Sequence, residues 1–522
     1  MSYTILLVNP QYPIEETPSP PMGLLYLGTY MRDRGHRVTI VDYVVNPYSR
    51  ERLREVIGSV KPDILGVTAV TMNVKKALMI VDDCKMIDPR ITTVMGGPHA
   101  TFDAQGLMAG TQSLDFIVRR EGELTFDELC AAIGSGAGFG HVRGLTYRDG
   151  VRIVHNEDRP LIEDINTLPM PDRSLVELSK YRAMGLAINM VTSRGCPHQC
   201  IFCVGSRMVG RKVRYFDVSR VVDEFEMLAG LGFRQINIVD DLFTSHKKRC
   251  MQICDEIVRR GIVCQWSAFA RVDTVNEDLL ASLKKAGCSD LCFGIESGNQ
   301  EILDLVKKKT NLEMCRKAID MCKKAGIRPL ASFILGLPGE TPETMKKTMD
   351  FAASLGAHYG YHILAPFPGS EVREEREKYK IRIITEDWDR YDANQCICDQ
   401  DGMRCEEIDR TYTDFNQKFK TKFAQLLRDY DKGEKYSPDV ETMIRNFKEF
   451  HFAMTVVTQD LIAKYPGAES GARQGAVEQV IAYLAEKTGY TLDDARAYVG
   501  VFLKNGCIEP VVSGGKESYR WV

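Results

Sequence analysis

Nothing in this chain of 522 residues reads as a membrane span or an export signal. No apolar run is long enough to cross a bilayer. The first residues lead almost at once into a strand-like segment, 4–8, so a cytoplasmic protein is expected. Charge of one sign is missing too: 68 Lys and Arg against 71 Asp and Glu leave a formal −3, which gives no electrostatic reason to expect nucleic acid. No GxGxxG follows the first strand-like segment and no GxxxxGK[ST] occurs, which disfavours a dinucleotide or triphosphate site. Low-complexity tracts and solenoid-type repeats are absent. What the chain does have is 44% apolar residues, enough for ordinary buried cores, and 16 cysteines. Scattered through a large chain without a secretory signal, these read as reduced thiols rather than a disulfide scaffold.

Three of the thiols stand apart. Cys196, Cys200 and Cys203 have CxxxCxxC spacing within Cys196-Pro197-His198-Gln199-Cys200-Ile201-Phe202-Cys203, just after the apolar run 187–191. Thiolates are soft ligands suited to zinc or iron–sulfur. Structural zinc wants four ligands and usually two CxxC knuckles, whereas three ligands leave one metal position open for a substrate. The spacing favours an iron–sulfur cluster with one iron not held by cysteine.

Around this loop the pattern divides into four parts. Residues 1–140 alternate short buried strands (4–8, 37–41, 63–67, 92–95, 115–118) with amphipathic helices (24–34, 49–60, 74–87). That is a doubly wound α/β domain, Rossmann-like or flavodoxin-like, whose ligands bind beyond the strand carboxyl ends. Glycine and polar residues gather there: Asn9-Pro10-Gln11, Thr68-Ala69-Val70-Thr71, Gly96-Gly97-Pro98-His99 and Glu121-Gly122-Glu123. Residues 141–185 hold a hairpin around Asp149-Gly150 and the extended connector Leu168-Pro169-Met170-Pro171-Asp172. Residues 186–372 show six strand candidates (187–192, 235–239, 264–269, 291–295, 330–335, 361–364) with helices between them, which fits a partial (β/α)6 barrel with the cysteine loop on its catalytic face. Residues 373–522 read as a mainly helical domain. Cys396, Cys398 and Cys405 form a looser thiol group there, taken as ordinary thiols because a fourth ligand is lacking. The basic run Arg207, Arg211, Lys212, Arg214 reads as a solvated face.

The central part closely resembles the radical SAM (S-adenosylmethionine) superfamily, whose cluster motif Cys196, Cys200 and Cys203 match, with an aromatic, Phe202, before the last cysteine. The front part resembles the cobalamin-binding domain of many such enzymes, through Pro20-Pro21-Met22-Gly23-Leu24-Leu25-Tyr26-Leu27, the 66–71 turn, 96–99 and Arg120-Glu121-Gly122-Glu123. The resemblance implies a [4Fe-4S] cluster, SAM and cobalamin. The cluster would cleave SAM to a 5′-deoxyadenosyl radical. Further contacts carry over by position. Asp240 and Asp241 would meet the SAM ammonium group, Arg271 its carboxylate in a bidentate grip, and Glu296 and Ser297 the ribose, while 334–340 resembles the adenine-side turn. Plainer readings are that Asp240 or Asp241 caps a helix and that Glu296 pairs with a nearby lysine.

Cobalamin would lie against Thr68, Gly96 and Gly97, with Glu121 and Gly122 at the rim and Thr71 and Met72 beneath cobalt. No DxHxxG loop follows the first strand, and His36 and His99 lack that context, so no histidine is expected as lower ligand. The activity implied is methyl transfer to an unactivated carbon, with one SAM methylating cob(I)alamin and a second giving the radical. The alternative is oxidative cyclisation of the anaerobic magnesium-protoporphyrin ester cyclase kind. A non-catalytic cobalamin or iron sensor is disfavoured by the intact motif. Expected partners are a small-molecule, peptide or tetrapyrrole substrate and an electron donor such as flavodoxin or ferredoxin.

Overall fold

The computed structural model describes residues 1–12, 18–469, 473–513 and 516–522. Five hydrophobic segments form parallel strands: β1 (Thr4–Asn9), β2 (Arg37–Asp42), β3 (Ile64–Thr68), β4 (Thr92–Gly96) and β5 (Phe116–Val118). Their order is β2-β1-β3-β4-β5. Helices cover both faces, which is why β1 is buried along its whole length. The strand order reverses between β1 and β3, and crevices for ligands open at such switch points. The hairpin β6 (Leu145–Asp149) and β7 (Arg152–His155) continues the same sheet, with β6 antiparallel to β5. A hairpin expected within the connector therefore belongs to the first sheet.

A second sheet begins with β8 (Ile188–Met190). The chain then makes a short antiparallel pair, β9 (Ser193–Arg194) with β10 (Arg214–Tyr215), enclosing the cysteine loop. Five further strands follow: β11 (Ile236–Ile238), β12 (Trp266–Ala270), β13 (Cys288–Glu296), β14 (Arg328–Leu335) and β15 (His358–Ile363). All six are parallel and sit side by side in chain order, the arrangement of a partial (β/α)6 barrel. Burial alternates along them. In β12, Trp266, Ala268 and Ala270 are buried while Ser267 and Phe269 are not. The buried face meets the helices, with Trp266 edge-on to Phe225 and Phe243. On the other face Ser267 Oγ donates to Asn237 Oδ1 of the neighbouring strand (2.7 Å).

The intervening helices start where their sequences say they should. Asn276, Asn311 and Thr341 each accept a hydrogen bond from a backbone N–H three residues on, each worth about 1 kcal/mol. Thr341 adds a capping box with Thr344, and Pro342 fills the first helical position without losing a hydrogen bond.

Beyond the barrel, β16 (Ile381–Ile383) pairs with β17 (Cys398–Gln400). Helices Cys405–Asp431, Pro438–Thr458, Arg473–Thr488 and Leu492–Lys504 follow. The first sends Phe415 onto Tyr359 and Tyr361 of β15. The later ones build a core of their own that includes Phe452, Leu484 and Phe502 and takes in Tyr181 and Val44 from earlier in the chain. A three-stranded sheet of β18 (Ala468–Glu469), β19 (Ile508–Ser513) and β20 (Lys516–Trp521) ends the chain, which the helical expectation for this part had not included. No helix among the described residues is long and apolar enough to cross a membrane.

Candidate active site

The strand carboxyl ends of the two sheets face one cavity of about 420 Å³. The first sheet and its helices contribute Leu7, Gly66, Thr68, Gly96, Gly97 and Gly122, and the barrel side contributes Val191, Ser193, Arg194, Met208, Val239 and Asp241. The walls are mainly apolar, as expected of a site that excludes water.

Glycine keeps the first-sheet side open. Gly97 has φ 93° and ψ 177°, a conformation only glycine adopts freely. A Cβ there would stand 2.7 Å from Ala69 O and 2.9 Å from Ala69 N. At Gly23 an added Cβ meets no protein within 4 Å, and at Gly96 it meets only Val118 O at 3.6 Å, so it would project into the cavity. This row of bare backbone fits a large, flat ligand. Thr71 and Met72 do not line the cavity, contrary to expectation. Thr71 is buried and its Oγ1 lies 3.2 Å from Nδ1 of the buried His99, whose ring packs edge-on against Trp388.

Glu121 lines the cavity, but its carboxylate is already engaged. Oε1 accepts from Arg194 Nη1 (3.0 Å), and Oε2 accepts from Arg214 Nη1 (2.9 Å) and Ile162 N (2.9 Å). Burial pushes its pKa up, yet Arg214 and Arg194 outweigh that and hold it below the usual carboxylate range. Glu121, expected as a cofactor contact, lines the cavity and also ties the loop after β5 to the β9–β10 pair. Arg194 also donates to Glu123 Oε1 (2.8 Å) and stacks over the Tyr26 ring.

The cysteine loop is held by its backbone. Cys196 N donates to Gly210 O (3.1 Å), Ile201 N to Val306 O (3.2 Å) and Cys203 N to Cys200 O (3.2 Å). Phe202 packs on the apolar cluster that contains Ile201, Leu337 and Leu364, seating the loop against the later barrel strands. Cys196 and Cys200 are half-buried and Cys203 is exposed, all as free thiols. Desolvation by the folded loop and its surroundings raises all three, Cys203 to about 11, while Lys308 and Arg271 pull Cys200 back. Such thiols keep their protons at neutral pH, so metal loading must displace them. Among the described residues no three His, Cys, Asp or Glu side chains are set to grip a single ion. Three thiols at CxxxCxxC spacing on one loop suit a cluster with one thiolate per iron.

The acidic pair separates into two roles. Asp240 is buried, with Oδ1 accepting from Thr192 N and Oδ2 from the hydroxyls of Thr192 and Ser193, each at 2.6 Å. It caps no helix; it ties down the strand end from which the cysteine loop leaves. Asp241 opens onto the cavity, and a Cβ on Gly205 would meet both its Oδ1 (2.7 Å) and Cys203 Sγ (3.4 Å).

Arg271 is buried and its bidentate partner is Asp273, at 3.0 Å through both Nε and Nη2. Nη2 also donates to Lys308 O (2.9 Å), which leaves Nη1 outside these bonds. The expected two-point grip on a ligand carboxylate is therefore not free while that pair holds. Glu296 sits at a register shift of β13 with φ 73°, its side chain aimed at the buried Lys308 Nζ (2.7 Å), as the plainer reading anticipated. Gly294 is needed for this pair, since a Cβ there would lie 2.3 Å from Glu296 Oε1. Ser297 is fully buried and shares a hydrogen bond with Thr348 Oγ1 (3.1 Å). Both residues thus brace the end of β13 from within.

Sequence reasoning missed Arg194 and assigned Arg214 to a solvated face, though Arg214 is buried. No spacing rule links residues 194 and 214 to Glu121; only the fold does.

Fold and site together set a three-cysteine loop at a barrel mouth opposite the glycine-edged crevice of a doubly wound sheet. Two family models match, Radical SAM superfamily over residues 190–352 and B12 binding domain over residues 16–130. The chain is 35% identical over 378 residues to an uncharacterised methyltransferase of Pyrococcus horikoshii, covering 72% of this chain and 82% of the relative. It is 32% identical over 419 residues to the anaerobic magnesium-protoporphyrin IX monomethyl ester cyclase of Rubrivivax gelatinosus, covering 77% and 74%. The solved structure of the cobalamin-dependent S-adenosylmethionine radical enzyme OxsB with aqua-cobalamin and S-adenosylmethionine bound shares the fold, with a TM-score of 0.69 at 16% identity over 97% of this chain and 84% of that one. The chain belongs to the cobalamin-binding radical SAM family, and its cofactors are a [4Fe-4S] cluster, SAM and cobalamin.

Proposed function

We propose that this enzyme transfers a methyl group to an unactivated carbon of a small molecule, peptide or tetrapyrrole, in the cytoplasm, with electrons from a flavodoxin- or ferredoxin-like donor. In this reading Cys196, Cys200 and Cys203 hold the cluster. Asp241 faces SAM at the barrel mouth, and cobalamin lies over Thr68, Gly96, Gly97 and Gly122. When bound, the cluster and SAM supply hydrogen-atom abstraction, and cobalamin supplies a transferable methyl group. The chain's own part is orientation and exclusion. Asp240 fixes Thr192 and Ser193 ahead of the cysteine loop, and Glu296 with Lys308 braces the end of β13. Apolar walls such as Leu7, Val191 and Val239 keep water from a carbon radical that reacts with whatever is nearest.

The observation that carries this reading is the single cavity, whose lining joins first-sheet glycines to Asp241 beside the cysteine loop. Anaerobic turnover with candidate substrates tests it, with products read by mass spectrometry. S-adenosylhomocysteine and 5′-deoxyadenosine should both form, and the product should gain one methyl group. Turnover without S-adenosylhomocysteine refutes it. That outcome, with 5′-deoxyadenosine formed and no carbon gained, supports a second reading as an oxidative cyclase, which the similarity to the Rubrivivax gelatinosus enzyme favours.

A further inference from the structure

The two strands that frame the cysteine loop place Arg194 and Arg214 directly opposite each other. Like charges in that position repel and destabilise a strand pair. Here a carboxylate from the loop after β5 lies between them. Glu121 takes Arg194 on one oxygen and Arg214 on the other, and Glu123 takes the second nitrogen of Arg194. Both feet of the loop that carries Cys196, Cys200 and Cys203 are therefore fastened to one short segment after β5. That segment also lines the cavity: Arg120, Glu121, Gly122 and Glu123 all do, as does Arg194 itself. The connector joins the same knot, since Arg214 Nη1 donates to Ile162 O (2.6 Å) and Ile162 N donates back to Glu121. Glu121, Glu123 and Arg214 are buried, so water and salt screen little of the attraction. No other ion pair in the protein joins the first sheet to the cysteine loop's own framing strands among the described residues.

We propose that Arg194 and Arg214, clasping Glu121 and Glu123, are positioning residues that set the separation between cobalamin and the iron–sulfur cluster. The inference rests on the functional reading above, because it takes cobalamin to lie against the glycine-edged sheet and the cluster to lie on the cysteine loop. The clasp touches neither reacting atom. It acts by tying the base of one cofactor's loop to the rim of the other's cradle, and a misplacement of about 1 Å is enough to matter in such a site.

The test is a distance. Cob(II)alamin and the singly reduced cluster each carry an unpaired electron, so pulsed dipolar EPR on the reconstituted holoprotein reads their separation directly. Arg194→Met, which keeps the side chain's reach without its charge, should retain both cofactors. Its distance distribution should shift by about 1 Å or broaden beyond wild type, with Arg194→Lys in between. A wild-type distribution in Arg194→Met with both cofactors loaded overturns the proposal. If that variant fails to fold or load, Glu123→Gln decides. It removes one charged arm and leaves the Glu121 bridge, and it should broaden the distribution less; no broadening overturns the proposal. Wild-type protein without a cob(II)alamin or cluster signal refutes the functional reading and the clasp with it, whereas a failure confined to the variants leaves that reading standing.

Discussion

Replacing Gly97 with alanine probes the cofactor cradle at its most constrained point. The backbone there has φ 93°, which costs any L-residue about 1–3 kcal/mol. The new methyl would also lie 2.7 Å from Ala69 O, so the 69–70 peptide would have to retreat by roughly 0.7 Å to reach ordinary contact. The backbone on both sides of Ala69 is not free to move, because Ala69 O accepts from His99 N (3.1 Å) and Ala69 N donates to Gly96 O (2.9 Å). Losing or stretching one such bond adds about 1 kcal/mol. Gly97→Ala should therefore destabilise the first sheet by about 2–4 kcal/mol, lowering its thermal midpoint by roughly 5–15 °C. It should also weaken cobalamin binding about 10- to 100-fold. Gly96→Ala separates the two effects. Its Cβ is tolerated by the protein and enters the cavity instead, so stability should hold while cobalamin binding falls. Gly138→Ala, at a position with φ −63° and no neighbour within 4 Å, should change neither. Differential scanning fluorimetry and titration with cobalamin followed by absorbance give both readouts. Wild-type cobalamin affinity in Gly96→Ala would refute the placement of the cofactor in this cavity. A wild-type midpoint in Gly97→Ala would refute the steric argument.

Cys200→Ser should leave the fold intact, lower the iron and sulfide content, and abolish reductive SAM cleavage; retained 5′-deoxyadenosine formation removes Cys200 from the cluster. The buried pair Arg173 and Glu224 (2.7 Å) joins the connector to the barrel, so Glu224→Leu alone should cost about 3–5 kcal/mol by stranding the arginine. Adding Arg173→Met should recover most of that loss in denaturant melts, and equal losses in the single and double variants would sink the argument. Asp42 is buried among Tyr181, Asn9 and Val44, and burial lifts its pKa to about 6. Its folded value lies above its unfolded one, so the native state binds the extra proton. This group therefore favours folding most below about pH 4, and that contribution, on the order of 3 kcal/mol, is lost as pH rises through 6. Asp42→Asn should flatten the fall in thermal midpoint between pH 4 and 7, and an unchanged slope would show that Asp42 is not its source.

Much of the fold was legible because strand and helix periods are local properties. The first five strands and all six barrel strands fall within a few residues of their expected places, and the cysteine loop follows β8 as expected. The site was legible less evenly. Thr68, Gly96, Gly97, Gly122 and Asp241 line the cavity. Asp240, Arg271, Glu296 and Ser297 stand near it but turn inward to Thr192, Asp273, Lys308 and Thr348. A strand-end position tells which residue stands at the mouth of a barrel. It does not tell which neighbour will claim the side chain, because that neighbour comes from a distant part of the chain.

By itself the sequence determined the chemistry on offer. Three thiols at CxxxCxxC spacing, a glycine-edged α/β unit and a βα barrel pattern are set by covalent spacing and by the burial that each local period demands. Only the tertiary structure decided how these parts meet. A strand register set Arg194 opposite Arg214, and the packing of two sheets brought Glu121 between them. Electrostatic contacts of this kind depend on where long-range packing leaves each side chain, and no pattern along the chain encodes that position.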